Sequence, residues 1–147
     1  MKSIAKIGRK LISVFLVVVV STLMFLTSPA LAANWITVNT DNLESEVLNS
    51  DKTTVVLLVS NIYPDAENVK AKLKSEVEKT YGDKYQLAVG SVEENGFLYT
   101  SILAPRIYPP YPGITVVKNG DPLRGIFIAP TDPSQAFEFI NDVIANS

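Results

Sequence analysis

A single α/β domain with a central mixed β-sheet flanked by helices is the fold class this sequence predicts, and three observations predict it. Residues 53–60 form a continuous apolar run rich in β-branched side chains, the pattern of a strand covered on both faces. Ala66, Val69, Leu73, Val77 and Tyr81 follow at spacings of three and four, which places them on one face of a helix. Asn119-Gly120 separates two further apolar, β-rich runs, a strong hairpin signal. Strand, amphipathic helix and hairpin in this order describe layers of helix on a sheet.

The chain opens with a segment that reads as an export signal. Lys2, Lys6, Arg9 and Lys10 precede an apolar run over 11–26, Pro29 breaks it, and Ala30-Leu31-Ala32 supplies small residues at the A-x-A positions. These features predict a cleavable signal peptide over residues 1–32, with cleavage after Ala32. An uncleaved anchor is the alternative, although the run is short for spanning a bilayer. The remaining residues, 33–147, have the common size of one domain.

Charge and composition exclude several function classes. The four basic residues of the leader depart with it, leaving 9 basic against 15 acidic residues and a net charge of −6. Such a surface repels phosphate backbones and anionic membranes, so neither nucleic acid nor membrane is an expected partner. The chain has no cysteine, which excludes a lipid-modified N-terminal Cys, disulfide staples, thiol chemistry and thiolate metal sites. It has no histidine either, the usual general base and commonest metal ligand. No metal or cofactor is expected.

Element by element, the short β-rich stretch 35–38 predicts a first strand. A helix over 41–48 follows, with Asp41 and Glu44 at capping-box spacing and Leu43, Val47 and Leu48 on one face. The run 53–60 is the central strand. Pro64 suits the first turn of the long helix, where its missing N–H costs nothing, and Asp65 and Glu67 favour the helix dipole there. Tyr85, Leu87 and Val89 alternate with Gln86, Ala88 and Gly90, predicting a third strand. Residues 97–103 predict a short helix stopped by Pro105. Pro109, Pro110 and Pro112 exclude helix or inner strand nearby. Strands over 114–117 and 123–128 flank the hairpin turn. Asp132-Pro133, with Gln135, predicts the start of a last helix whose buried face carries Ala136, Phe137, Ile140, Val143 and Ile144. The resulting order is β-α-β-α-β-α-β-β-α.

Three stretches resemble the thioredoxin family, and together they span essentially all of residues 33–147. Asp41-Asn-Leu-Glu-Ser-Glu-Val-Leu48 is similar to its first helix, and 55–81 matches its strand, turn and long helix without a gap. Tyr111-Pro112-Gly113-Ile-Thr-Val-Val-Lys118-Asn119-Gly120 is similar to its cis-proline segment running into a hairpin. The resemblance implies a thioredoxin-like fold and places the family's Cys-Gly-Pro-Cys motif on Pro64-Asp65-Ala66-Glu67. Tyr63 keeps the preceding aromatic in kind. Leu58 stands where the family has a buried acid that tunes proton transfer. Nucleophile, resolving thiol and acid are all replaced, so the resemblance implies a member without oxidoreductase activity.

What remains is a binding groove. In the family, the residue before the cis-proline offers its backbone to an extended segment beside the motif turn, and Tyr111-Pro112 occupies that place. Tyr63, Pro64, Asp65 and Glu67 from the turn, with Tyr108, would complete the groove, and Ile62 could join them. Exposed aromatics and prolines suit peptide recognition. The alternative is that Pro109 and Pro110 rigidify a loop while the tyrosines cover the rim of the core. The Asp65/Glu67 and Glu93/Glu94 pairs raise a hydrolytic or cation-binding possibility, but the first pair reads as helix-start acids and the second as a solvated turn. Ser60 and Ser91 end strands with no histidine to activate them. The expectation is therefore an exported, redox-inactive scaffold, assembly or chaperone-type module. Its partner would be an exported or membrane-associated protein or peptide in a bacterial periplasm, a thylakoid lumen or the medium. A non-thiol hydrolase using carboxylates and a self-assembling structural domain are the alternatives.

Overall fold

The computed structural model describes residues 33–100, 102 and 109–147. The expected leader and cleavage site, the end of the helix expected over 97–103, and Tyr108 lie outside the described residues. Strands β1 (Trp35–Val38), β2 (Thr54–Val59), β3 (Gln86–Ser91) and β4 (Gly113–Lys118) carry the sheet, with two short strands, β5 (Asp121–Pro122) and β6 (Ile126–Phe127), at its far edge. The order is β1-β3-β2-β4-β5, with β6 also paired to β4. β1, β3 and β2 run parallel and β4 runs antiparallel to β2, so the sheet is mixed. β2 is central, and all six of its residues are buried.

Three helices, α1 (Ala66–Tyr81), α2 (Gly96–Thr100) and α3 (Ser134–Ala145), join a π-helical segment, Glu44–Leu48. Alternate residues of β2 point to opposite faces, and each face has its own apolar cluster. Val55, Leu57 and Val59 pack with Leu73, Val77 and Tyr81 of α1 and with Ala136 and Ile140 of α3. Val56 and Leu58 pack with Val47, Leu98, Tyr99 and Ile102 on the other side. The anticipated apolar faces of α1 and α3 thus cover one side of the sheet. Asn119 and Gly120 have φ of 53° and 84°, the positive pair a two-residue hairpin turn requires.

Several local expectations are corrected. The first helix is a π-helical turn closed by Asn49 N–H on Glu44 C=O at 2.8 Å, and no Asp41–Glu44 capping box forms. Asn39 takes the capping role instead: its Oδ1 accepts from the N–H groups of Asp41 at 2.9 Å and Asn42 at 3.2 Å. β3 does not alternate between buried and solvated faces. Leu87, Ala88, Val89 and Gly90 are all buried, because helical segments cover both faces of the sheet.

Of the strand expected over 123–128 only Ile126–Phe127, β6, is strand, and the pairing next to the turn is made by β5, which precedes that range. Lys118 pairs Asp121 and Val117 pairs Pro122, but Ile114 pairs Ile126 and Gly113 pairs Phe127. One extra residue on the returning strand, a bulge, shifts the register between them. At the last helix, Asp132 Oδ1 accepts from the Ser134 N–H at 3.1 Å and from the Ser134 hydroxyl at 2.7 Å. The helix starts at Ser134 with Pro133 at its N-cap and no side-chain cap bond, so these Asp132–Ser134 bonds stand in place of the expected box between Asp132 and Gln135.

Candidate functional site

The turn after β2 is tied down at its base. Ser60 is fully buried and its hydroxyl donates to Glu93 Oε1 in a short hydrogen bond. The Asn61 N–H donates to Glu93 Oε2 at 3.2 Å, and the Tyr63 N–H returns to the Ser60 carbonyl at 3.1 Å. Glu93 is exposed and lies in a turn, as expected, yet both of its carboxylate oxygens are engaged. It clamps the segment beyond β3 to the segment beyond β2. Partial burial acts to raise its carboxyl, but the hydrogen bonds from Ser60 and from backbone N–H groups outweigh burial and hold it below its ordinary range.

A depressed carboxyl contributes stability above its unfolded pKa, about 4.3, and loses it as pH falls through the folded value. Glu93→Gln is expected to cost about 1 kcal/mol at pH 7, below the roughly 1.5–3 kcal/mol usual for hydrogen bonds to a charged group because Glu93 is largely exposed. Urea midpoints of wild type and variant should converge as the pH is lowered from about 5 to about 3, through the carboxylate range. A gap that stayed constant over that range would show that the carboxylate's charge is not what holds the turn.

Beyond Tyr63 the chain differs from the expectation that Pro64 and Asp65 lie in the first helical turn. α1 begins at Ala66, and Asp65 is its N-cap with φ 56° and ψ 37°. A left-handed non-glycine residue is uncommon, although Asp tolerates it better than most. The Asp65 side chain makes no bond to the helix backbone; its Oδ1 accepts from Asn68 Nδ2 at 2.7 Å. The resemblance places the glycine of the Cys-Gly-Pro-Cys motif at this position. Glu67 pairs with Lys70 at 2.6 Å but is 82% exposed, and such a pair adds little stability. Pro64, Asp65 and Glu67 present a solvated rim.

The aromatic residues converge. The rings of Tyr63 and Tyr111 lie 6.0 Å apart, Tyr111 and Phe127 6.0 Å, and Phe127 and Tyr99 6.4 Å, within the range of favourable aromatic pairs. Tyr111 is 46% exposed and Ile62, on the turn, 50%. Pro112 is buried and its carbonyl accepts from the Ile128 N–H at 3.0 Å. The Tyr99 hydroxyl donates to the Tyr111 carbonyl at 2.9 Å. Burial first, and the Glu93 charge second, push the Tyr99 phenol up, so it stays a donor across the physiological range.

Of the residues anticipated for the groove, the structure brings Tyr63, Tyr111 and Pro112 together and places Pro64, Asp65 and Glu67 beside them. Sequence reasoning missed Phe127 and Tyr99, which extend and support the aromatic row, and Ser60 with Glu93, which anchor it. A concavity of about 830 Å3 lies elsewhere, against the starts of β2 and β3 and lined by Ser45, Glu46, Asp51 and Lys52 among others. No group of three or more acidic residues among the described residues could hold a metal ion.

No family model matches the chain, and no curated protein matches it. Among solved structures, a thioredoxin from Trypanosoma brucei brucei is similar over 80% of this chain and 96% of its own, with a TM-score of 0.54 and 12% sequence identity. At that identity the likeness is one of fold.

Proposed function

We propose that this chain, a thioredoxin-like domain without cysteine, is exported and acts by holding a segment of another protein or peptide at the row formed by Tyr63, Tyr111 and Phe127. Thiol–disulfide exchange is closed to it, since neither end of the motif turn carries a thiol: Pro64 and Glu67 stand there. The reading is carried by one observation. A half-exposed tyrosine, flanked by Tyr63 and Phe127, stands immediately before a buried proline, and an exposed isoleucine precedes Tyr63 in the chain. Aromatic rings held in place by their neighbours offer large contact area with little further loss of side-chain freedom.

The buried partners prepare this surface. Tyr99 takes up one lone pair of the Tyr111 carbonyl, which favours recognition through the rings over recognition through that backbone oxygen. Ser60 and Glu93 hold the base of the Tyr63 turn. The rim is acidic at Asp65 and Glu67, so an extended segment with apolar or proline residues and a basic flank fits best. The partner we propose is an exported or membrane-associated protein in a periplasm, a thylakoid lumen or the medium.

Peptides selected from a displayed random library on the purified domain test this. Their affinity should fall at least about tenfold on Tyr111→Ala and on Tyr63→Ala, the loss expected of a central aromatic contact. Selected peptides that bind both variants as they bind wild type would place the site elsewhere.

A further inference from the structure

The main-chain nitrogen of Ala33, the first described residue, has an unusual partner. It donates to Glu78 Oε1 at 3.0 Å, and Trp35 Nε1 donates to Glu78 Oε2 at 3.0 Å. Both oxygens of one carboxylate on α1 are therefore aimed at one short stretch of chain. Lys74, one turn earlier on α1, lies over the Trp35 ring at 5.0 Å from its centre. Ala33 packs against the core, where a Cβ placed at Gly82 would already stand 3.3 Å from the Ala33 methyl. The nitrogen is held by Glu78 while the methyl lies against the end of α1.

A carboxylate is more than an amide N–H requires, since a neutral carbonyl would satisfy it. The surplus charge finds its counterpart if the peptide bond before Ala33 is cut, which is where the A-x-A pattern directs a signal peptidase. Hydrolysis of the Ala32–Ala33 amide bond by one water leaves the oxygen on the Ala32 carboxylate and delivers protons to the Ala33 nitrogen, now an ammonium. We infer that Glu78 is a receptor for the α-ammonium of Ala33, so that removal of the leader converts a hydrogen bond into an ion pair that fastens β1 to α1. This inference rests on the export reading, but not on the aromatic groove.

The surroundings leave the pairing to Glu78. Besides Lys74, the charged groups bordering the Ala33 crevice are Asp83 and Lys84 just beyond α1, and Glu46, Asp51 and Lys52 across it. These are three cations against three anions. The Glu78 carboxyl is held below its ordinary range, first by the Ala33 N–H, then by the Trp35 indole and, more weakly, by the Lys74 ammonium, against a burial effect that acts to raise it.

Residues 33–147 form a unit of their own containing both apolar clusters, so the domain can be produced with Ala33 as its first residue. Its α-amine, labelled and followed by NMR, should titrate about one unit above the 7.7–8.0 of an unstructured chain. It should return to that range in Glu78→Gln and when one extra residue precedes Ala33. The sign follows from the raised value: the added stability is complete below about pH 7.7 and disappears as pH rises through the folded pKa. Thermal midpoints of wild type and Glu78→Gln should therefore approach one another by about pH 10, beyond the raised α-amine value. An α-amine titrating alike in wild type and in a Glu78→Gln variant with native near-ultraviolet dichroism would overturn the receptor. The mass of the product exported by the native host tests the other premise separately: Ala33 first supports the inference, and any other first residue overturns the claim that export forms the pair.

Discussion

Leu58→Asp is expected to destabilise the domain by about 3–8 kcal/mol at pH 7, the sum of a lost core side chain and an unpartnered buried polar group. Leu58 is fully buried on the central strand, packed with Val47, Leu98, Tyr99 and Ile102. Its cross-strand neighbours are Gly90 on β3 and Gly113 on β4, so the leucine occupies a layer to which neither neighbour contributes a side chain. Truncation alone costs about 2–5 kcal/mol, and the polar group adds about 1–3 kcal/mol. The total is comparable to the whole stability of many domains of this size.

Position 58 is where the resemblance places the family's buried acid, which makes the substitution a test of how far this scaffold has moved. If the surrounding core is as apolar as the packing indicates, the new carboxyl will be held protonated in the folded state, its pKa raised. The deficit should then shrink as pH falls toward about 4, the ordinary carboxylate range, in contrast to Leu58→Ala, whose deficit should not follow that titration. Urea unfolding at the two ends of that range measures both. A Leu58→Asp variant as stable as wild type at neutral pH would mean that the site still accommodates an ionised carboxylate.

The second large effect is expected at Asn95, which is buried on the segment entering α2. Its Nδ2 donates to the Val38 carbonyl at 3.2 Å and to the Ser91 carbonyl at 2.9 Å, joining the ends of β1 and β3. Asn95→Ala removes the side-chain donor to both, but the Ser91 carbonyl keeps the Asn95 main-chain N–H at 3.1 Å, so about 1–3 kcal/mol should be lost, mainly through the Val38 carbonyl. Gly90 lies directly beneath: a Cβ there would stand 2.5 Å from Asn95 Nδ2 and 2.8 Å from the Val38 carbonyl. Gly90→Ala should therefore be destabilising, and in the Asn95→Ala background less so, since the nearest of its obstacles has gone. A double-mutant cycle read from denaturant midpoints would detect that coupling. Strict additivity would show that Asn95 and Gly90 do not share the space.

Much of the scaffold is legible in the sequence. The apolar run that forms β2 needs cover on both faces and can only be central. The three-and-four spacing of Val69, Leu73, Val77 and Tyr81 leaves one orientation for α1. Asn119-Gly120 names its turn because few residues tolerate two successive positive φ angles. Helix starts are less legible. Asn39 is as capable of capping as Asp41, and which side chain reaches an N–H depends on backbone geometry that a four-residue spacing does not specify.

The groove is half legible. Tyr63 and Tyr111 are marked by their neighbours in sequence, and the structure brings their rings together. Phe127 is not, and the reason lies in the register. Counted straight out from the Asn119–Gly120 turn, Gly113 would face Ile126; the bulge in the returning strand sets Phe127 opposite it instead. Glu93 reads as a solvated acid because nothing in Glu-Glu-Asn-Gly announces a buried serine hydroxyl contributed from 33 residues earlier. Local pattern, turn chemistry and the loss of every thiol are properties of neighbouring residues and of composition, and the sequence by itself determined them. Which aromatic side chains share a surface, which carboxylate clamps a turn and which one waits at Ala33 are properties of strand register and of approach between distant segments, and only the tertiary structure decided those.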